Sequence, residues 1–326
     1  MKIIWIALAG VALLAGSAAG ATKGGSVALV AYSTPKDAYG QIIPSFQKTS
    51  AGNGSSFSQS YGASGDQARA VAAGQSADIV ALSLDPDINM LVGKGLVPKN
   101  WAANKYKGIV SDSVVVFVVR NGNPKHIKTW GDLVKPGVQV ITPNPFTSGS
   151  ARWNVMAAYG AQREAGKTDK QAVAYLKKFF QHVPVQPDSA RTATQIFAQG
   201  KGDVLLTYEN EAKYAEKKGV HTQYYTPKNT LLIETPAALT KSGAKNPTAK
   251  AFYKYLWSST AQRAFAAQGY RPVVKSVAKS YHFYSPKGLF TIGTAKLGLN
   301  GWTKVNTRFF HPTKGIVAKI EKSLGH

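Results

Sequence analysis

Short apolar runs alternate along this chain with longer stretches in which apolar residues recur every three or four positions. Ser26-Val-Ala-Leu-Val-Ala-Tyr32, bounded by Gly24-Gly25 and Ser33-Thr-Pro35, predicts a buried parallel strand, with a helix following over 37–46. Phe57–Tyr61 predicts an alternating strand and 77–82 another. A helix from Asp85 to Gly95 carries Pro86 in its first turn. Ser113–Arg120 is the most strongly β-branched run and ends at Asn121-Gly-Asn-Pro124, a turn cluster read as the first crossing between two units. Trp130–Val134 predicts a short helix, while 151–165, 169–180 and 247–257 predict longer ones. Asp203 opens a strand that delivers Tyr208 to the start of a further helix, and Leu231–Leu239 is strand-like, with Thr235 at a return crossing. Strands alternating with helices in this way make an α/β protein.

Three strand-to-helix junctions share one chemistry. Val140-Ile-Thr-Pro-Asn-Pro-Phe-Thr-Ser-Gly-Ser-Ala-Arg-Trp153 is a short β-branched run broken by Pro143 and Pro145, with Ser148 where a helix N-cap belongs. Gly62-Ala-Ser-Gly-Asp-Gln repeats the pattern at Ser64 and Gly65. Pro187-Asp-Ser-Ala-Arg repeats it with Asp188 or Ser189 as the cap and Ala190 in the first turn. A helix start leaves several N–H groups without carbonyl partners, and the aligned peptide dipoles add partial positive charge there. Each junction alone fits an ordinary capped helix. Their recurrence far apart in sequence suggests anion donors facing one another across a cleft.

Composition narrows the setting. The chain has 326 residues, 44% hydrophobic and 17% charged, enough for two domains with sizeable cores. Lys2, the apolar run that follows and the small residues Ser17–Ala21 mark residues 1–21 as a secretory signal peptide, with cleavage after Ala19 or Ala21. No later stretch is long and apolar enough for a membrane span. With no cysteine there is no disulfide framework and no thiolate chemistry. The expectation is an exported, periplasmic protein.

The formal charge of +24 would suggest nucleic acid, but the export signal and the absence of any nucleic-acid-binding motif argue against it. The lysines are dispersed, which suits a solubilising surface or a diffuse attraction for anions and anionic lipid. Catalytic patterns are missing as well. The six histidines lack metal-site spacing, and there is no nucleophile elbow, Walker loop or dinucleotide fingerprint. Glu209 and Glu211 suit a helix start better than an acid/base pair. A binding protein without cofactor or metal is expected, and an enzyme is not.

At these motifs the sequence resembles the periplasmic sulfate-binding proteins of the sulfate/thiosulfate ABC-transporter family. The likeness rests on Gly62-Ala-Ser-Gly-Asp-Gln-Ala-Arg-Ala-Val, the stretch from Arg120 to Pro145, Thr147-Ser-Gly-Ser-Ala-Arg-Trp-Asn and Gly202-Asp-Val-Leu-Leu-Thr-Tyr-Glu-Asn-Glu-Ala. It implies a two-lobed periplasmic-binding-protein fold of type II, each lobe a mostly parallel sheet flanked by helices, joined by two crossing strands. Lobe 1 would comprise 22–116 plus 234–326, and lobe 2 117–233. The resemblance also implies a monomer that holds sulfate between the lobes and delivers it to a membrane permease.

Carried over by motif, the donors are Ser33, Ser64, Ser148, Gly149, Ser150, Ala190 and Tyr208. Ser33 stands where the family often has Asp, Ser150 where it often has Gly, and Tyr208 takes the place of an indole. Arg152 and Arg191 are read either as charges lying behind the site or as solvated helix-face residues. Thiosulfate, molybdate and phosphate remain alternative ligands, and a basic adhesive or polyanion-binding protein is the alternative from another class.

Overall fold

A computed structural model describes residues 24–325, so the expected signal peptide lies outside the described residues. The first elements are β1 (Ser26–Tyr32), α1 (Lys36–Gln47), β2 (Ser56–Gly62), α2 (Ser64–Ala72), β3 (Ile79–Ala81), α3 (Asp85–Gly93) and β4 (Ile109–Arg120). Next come β5 (Val140–Ile141), α4 (Gly149–Glu164), α5 (Asp169–Gln181), α6 (Ala190–Ala198), β6 (Val204–Tyr208), α7 (Glu209–Lys217), β7 (Thr222–Tyr225) and β8 (Asn229–Leu239). The chain ends with α8 (Pro247–Tyr255), α9 (Ser259–Ala267), α10 (Lys275–Ala278), β9 (Gly288–Phe290), α11 (Trp302–Phe309) and α12 (Ile316–Leu324).

The strands follow the order β2-β1-β3-β8-β4-β6-β5, with β7 on β4 and β9 on β8. Each half of this sheet is covered on both faces, and the two-residue period of a strand divides its side chains between them. In the first half Val27, Leu29 and Ala31 enter one core while Val30 enters the other. In the second, Val115, Phe117 and Val119 enter one core and Val114, Val116 and Val118 the other. This is why both runs read as continuously apolar.

β4 and β8 run through both halves. Ile109–Val114 of β4 pair with β8, and Val115–Val119 pair with β6, so the chain passes between halves inside an unbroken strand. The turn Asn121–Pro124, expected to be the crossing, instead lies beyond the end of β4. Asn123 there adopts φ 47° and bonds its side chain to Ile127. Thr235 of β8, expected at the return crossing, donates from Oγ1 to Ser111 O of β4 at 2.8 Å.

Within each half the strands beyond the crossing are parallel, and β8 runs against β2-β1-β3 while β4 runs against β6-β5, so the whole sheet is mixed. β1 is parallel to β2 and β3, and β5 to β6, whereas β4 is antiparallel to β6, β7 and β8.

The C-terminal segment departs from the expected division. From Gly288 onward it joins the second half: β9 pairs with Asn229–Leu231, and Phe290, Leu297, Trp302, Val305 and Phe309 share a core with Trp153 and Tyr159 of α4. Gly160 makes room for this, since a Cβ there would stand 2.3 Å from the Phe290 ring. Arg308 clamps the packing through Asp169, with Nη2–O distances of 2.6 and 2.7 Å. These helices are amphipathic, and the side they cover is the apolar face that α4 and α5 leave open.

The crossing strands and the start of α3 also carry acids in poor solvation. Burial and the neighbouring Glu234 raise Asp112 to about 7 against the pull of Arg271, and burial with Glu234 raises Asp85 to about 6. A carboxyl raised in the folded state binds protons that the unfolded chain releases, so its stabilising effect is complete near pH 4 and fades as pH rises through 7. Asp112→Asn should therefore stabilise the protein at pH 8 relative to its effect at pH 4.5, by on the order of 1–3 kcal/mol. Urea titrations of both forms at the two pH values measure this, and an equal effect at both would contradict it.

Candidate anion-binding site

Three helices begin where the two halves meet. α2 starts at Ser64 behind an extended Ala63 that offers no side-chain cap. α4 starts at Gly149, with Ser148 Oγ accepting the Ala151 N–H at a long 3.4 Å. α6 starts at Ala190 and is capped by Ser189, which settles the choice left open with Asp188. The N–H groups of Ser64, Gly149, Ser150 and Ala190 thus lie in first turns, where no intrahelical carbonyl is available and the dipole is positive.

Direct contacts bring these starts together. Gly65 N–H donates to Thr147 O at 2.9 Å, joining the first turn of α2 to the residue before the α4 cap. A Cβ on Gly149 would stand 2.5 Å from Ser83 Oγ, so only glycine permits this approach. Ser83, shortly after β3, is the hub. Its N–H donates to Ser64 Oγ (2.9 Å), its carbonyl accepts from Trp153 Nε1 (2.9 Å), and its hydroxyl shares a 2.6 Å hydrogen bond with the Tyr208 hydroxyl.

Ser33 follows β1 at the same edge, and its neighbour Thr34 accepts through its carbonyl from Arg191, the residue after Ala190, at 2.9 Å. All seven residues expected from the sequence therefore flank one junction. Ser83, Asp87 and Trp153 join it without having been expected there. A serine at the end of a buried apolar run was the available signal for Ser83.

The hydroxyl groups are not equivalent. Ser64 donates to Asp87 Oδ2 at 2.5 Å while accepting from Ser83, so it has only its main-chain N–H to offer. Tyr208 and Ser83 use one of their two protons on each other and keep one. Burial lifts Tyr208 well above the ordinary tyrosine range, which keeps it a neutral donor. The Ser150 hydroxyl is buried beside Tyr208 without a hydrogen bond of good geometry, and the Tyr32 hydroxyl is likewise unpartnered among the described residues.

Neither nearby arginine is free or solvated. Arg191 binds Glu211 through Nε (3.1 Å) and Nη2 (3.0 Å) and reaches Asp37 of the other half through Nη1 (3.0 Å). Burial works against its charge, but Glu211 and Asp37 outweigh that and hold Arg191 above its usual range. Arg152 donates to Pro145 O and lies 4.0 Å from Asp87. Burial raises Asp87 despite the opposing pull of Arg152 and the Ser64 hydroxyl. Asp66, the carboxylate nearest in sequence to Ser64, turns away to pair with Arg69. Glu209 and Glu211 occupy the first turn of α7, as expected, and bind Arg271 and Arg191. Among the described residues no cluster of His, Cys, Asp or Glu is arranged to hold a metal ion.

Glu211 is fully buried, so removal of its partner leaves an uncompensated charge. Arg191→Met should cost about 3–5 kcal/mol in chemical denaturation, and Arg191→Lys less. A loss below about 1 kcal/mol for Arg191→Met would mean that the pair is not buried in solution.

Residues 27–271 match the family model described as bacterial extracellular solute-binding protein. A sulfate-binding protein of Synechococcus elongatus is 40% identical over 303 residues, covering 90% of this chain and 86% of that protein. A thiosulfate-binding protein of Pseudomonas aeruginosa is 37% identical over 258 residues, covering 74% of this chain and 77% of that protein. Among solved structures, the sulfate-binding protein SubI from Mycobacterium tuberculosis superposes with a TM-score of 0.83 at 43% identity, covering 88% of this chain and 99% of that one.

Proposed function

Since the chain belongs to the bacterial extracellular solute-binding protein family, we propose that it captures sulfate between its two halves and delivers it to a membrane ABC permease for import. The observation that carries this reading is the meeting of the α2 and α4 starts at Ser83, which hydrogen-bonds Tyr208, with the α6 start tied to the same place by Thr147 Oγ1 donating to Asp188 O at 2.9 Å, while Arg191 is paired with Glu211 and Asp37 and Arg152 lies 4.0 Å from Asp87. Such a junction offers donors without a free counter-charge. It suits an anion that is fully ionised and only accepts hydrogen bonds.

The donors are the main-chain N–H groups of Ser33, Ser64, Gly149, Ser150 and Ala190, with the hydroxyls of Ser148 and Tyr208. Sulfate accepts from all of them. Hydrogen phosphate also needs an acceptor for its proton, and Asp87, the nearest buried carboxylate, is already committed to Ser64 and Arg152. Seven charge-assisted bonds at about 1.5–3 kcal/mol each exceed the roughly 8 kcal/mol of a micromolar complex. Dehydration of the dianion and closure of the halves account for the difference. Thiosulfate is the nearest second ligand, supported by the Pseudomonas aeruginosa relative.

The location is extracytoplasmic, in keeping with the family. In the proposed cycle the protein works in the periplasm as a monomer, bends at β4 and β8, binds its anion without altering it and presents the closed form to the permease.

Calorimetric titration of protein freed of anion by unfolding and refolding tests the reading. Sulfate should bind one to one at micromolar or lower Kd, with phosphate at least tenfold weaker. Gly149→Ala should weaken sulfate at least tenfold by forcing Ser83 away, and Tyr208→Phe should do so by removing a hydroxyl donor. Phosphate binding as tight as sulfate, or no effect of Gly149→Ala in a folded protein, would overturn it.

A further inference from the structure

Sulfate capture leaves the charge of +24 unexplained, since Arg191 at the junction is paired with Glu211 and Asp37 and Arg152 lies beside Asp87. Part of that charge is organised. Segments 94–107 and 241–257 together carry eight lysines and no Asp or Glu, and all eight are exposed. None of them enters a salt bridge among the described residues. The acids nearby are engaged inward: Asp78 accepts from Ala28 N and Asn246 Nδ2, and Glu234, which feels Lys107, lies on the crossing strand.

The two segments frame a groove of about 400 Å³ with an aromatic floor. Tyr106 and Trp257 stack with centroids 5.8 Å apart and planes within 5°, and Tyr253 meets Trp257 edge-on at 4.9 Å. Their polar ends are tied inward, Trp257 Nε1 to Ile109 O (2.7 Å) and Tyr253 OH to Ala237 O (3.3 Å), so the rings and Leu239 line the groove. Lys105, Lys250 and Lys254 rim it, with Lys105 Nζ 5.0 Å from the Tyr106 centroid. Half-buried Trp and Tyr beneath long cationic side chains match the chemistry of a bilayer interface with anionic headgroups.

Position supports the same partner. Gly25 N–H donates to Thr248 Oγ1 (3.1 Å) and Asn246 Nδ2 to Ser26 O (2.7 Å), which places the first described residues at the start of α8. The face lies at the other end of β3 from the anion junction: Leu239 pairs with Ile79 at the start of β3, whereas Ser83 follows its end.

We infer that this lysine-rimmed aromatic face docks the protein on an anionic lipid surface, with the anion cleft left open to solvent. The test is co-sedimentation of the mature protein with vesicles of phosphatidylcholine alone or with phosphatidylglycerol. The protein should pellet only with phosphatidylglycerol vesicles and be released at about 0.5 M salt, where screening reaches only a few ångströms. K105E/K250E/K254E should reduce partitioning at least tenfold and leave the sulfate titration unchanged. The matched control K170E/K177E/K178E, on exposed positions of α5, should change it less than threefold. Equal losses in the two triple variants would show that only net charge matters. Failure to bind vesicles while binding soluble polyphosphate would show a polyanion site instead. Either result overturns the inference.

Discussion

A fully buried carboxylate needs compensation wherever the chain folds, and at the junction of the two halves Glu211 receives it from Arg191. That guanidinium is held by its own half through Glu211 and spends its remaining donors on Thr34 O and Asp37 in the other. A buried ion pair of the second half is thus also a bridge to the first. Ser83 provides the complementary bridge, using N–H, carbonyl and hydroxyl on three partners from α2, α4 and β6. The Ser83 bridge sits beside close approaches, which Gly149 permits at the Ser83 side chain and Gly65 at Thr147 O.

Much of this was legible in the chain. The caps at Ser148 and Ser189, the start at Ser64 and the delivery of Tyr208 by a buried strand all follow from local pattern, because caps and strand ends have chemical signatures. Ser83 did not stand out, since one polar residue between an apolar strand and a helix has no periodicity to mark it, and Asp87 reads as an ordinary acid in the first turn of α3. The crossing was misplaced for a related reason. Val114–Val119 is apolar without a break, so nothing in the run reveals that its pairing partner changes after Val114. The docking of α11 and α12 on the second half was hidden too, because an amphipathic helix declares its apolar face but not which surface will cover it.

Charge is partitioned across the molecule. At the junction Arg152 and Arg191 are matched by carboxylates, and the positive potential comes from peptide dipoles and N–H groups fixed by the fold. Around the groove at Tyr106 and Trp257 the cations are exposed and unpaired by salt bridges. Specific capture of a small anion requires fixed geometry and low local mobility, whereas attraction to a charged surface tolerates flexible lysines and depends on their number. Opposite ends of β3 carry these two arrangements.

Selenate has the shape and charge of sulfate and a strong anomalous signal, so a crystal grown with it locates the anion directly. A single anomalous peak within hydrogen-bonding distance of the Ser64, Gly149, Ser150 and Ala190 N–H groups and the Tyr208 hydroxyl is the predicted result. A peak confined to surface lysines, with the junction closed and occupied only by protein atoms, would contradict the assignment of this junction as the anion site.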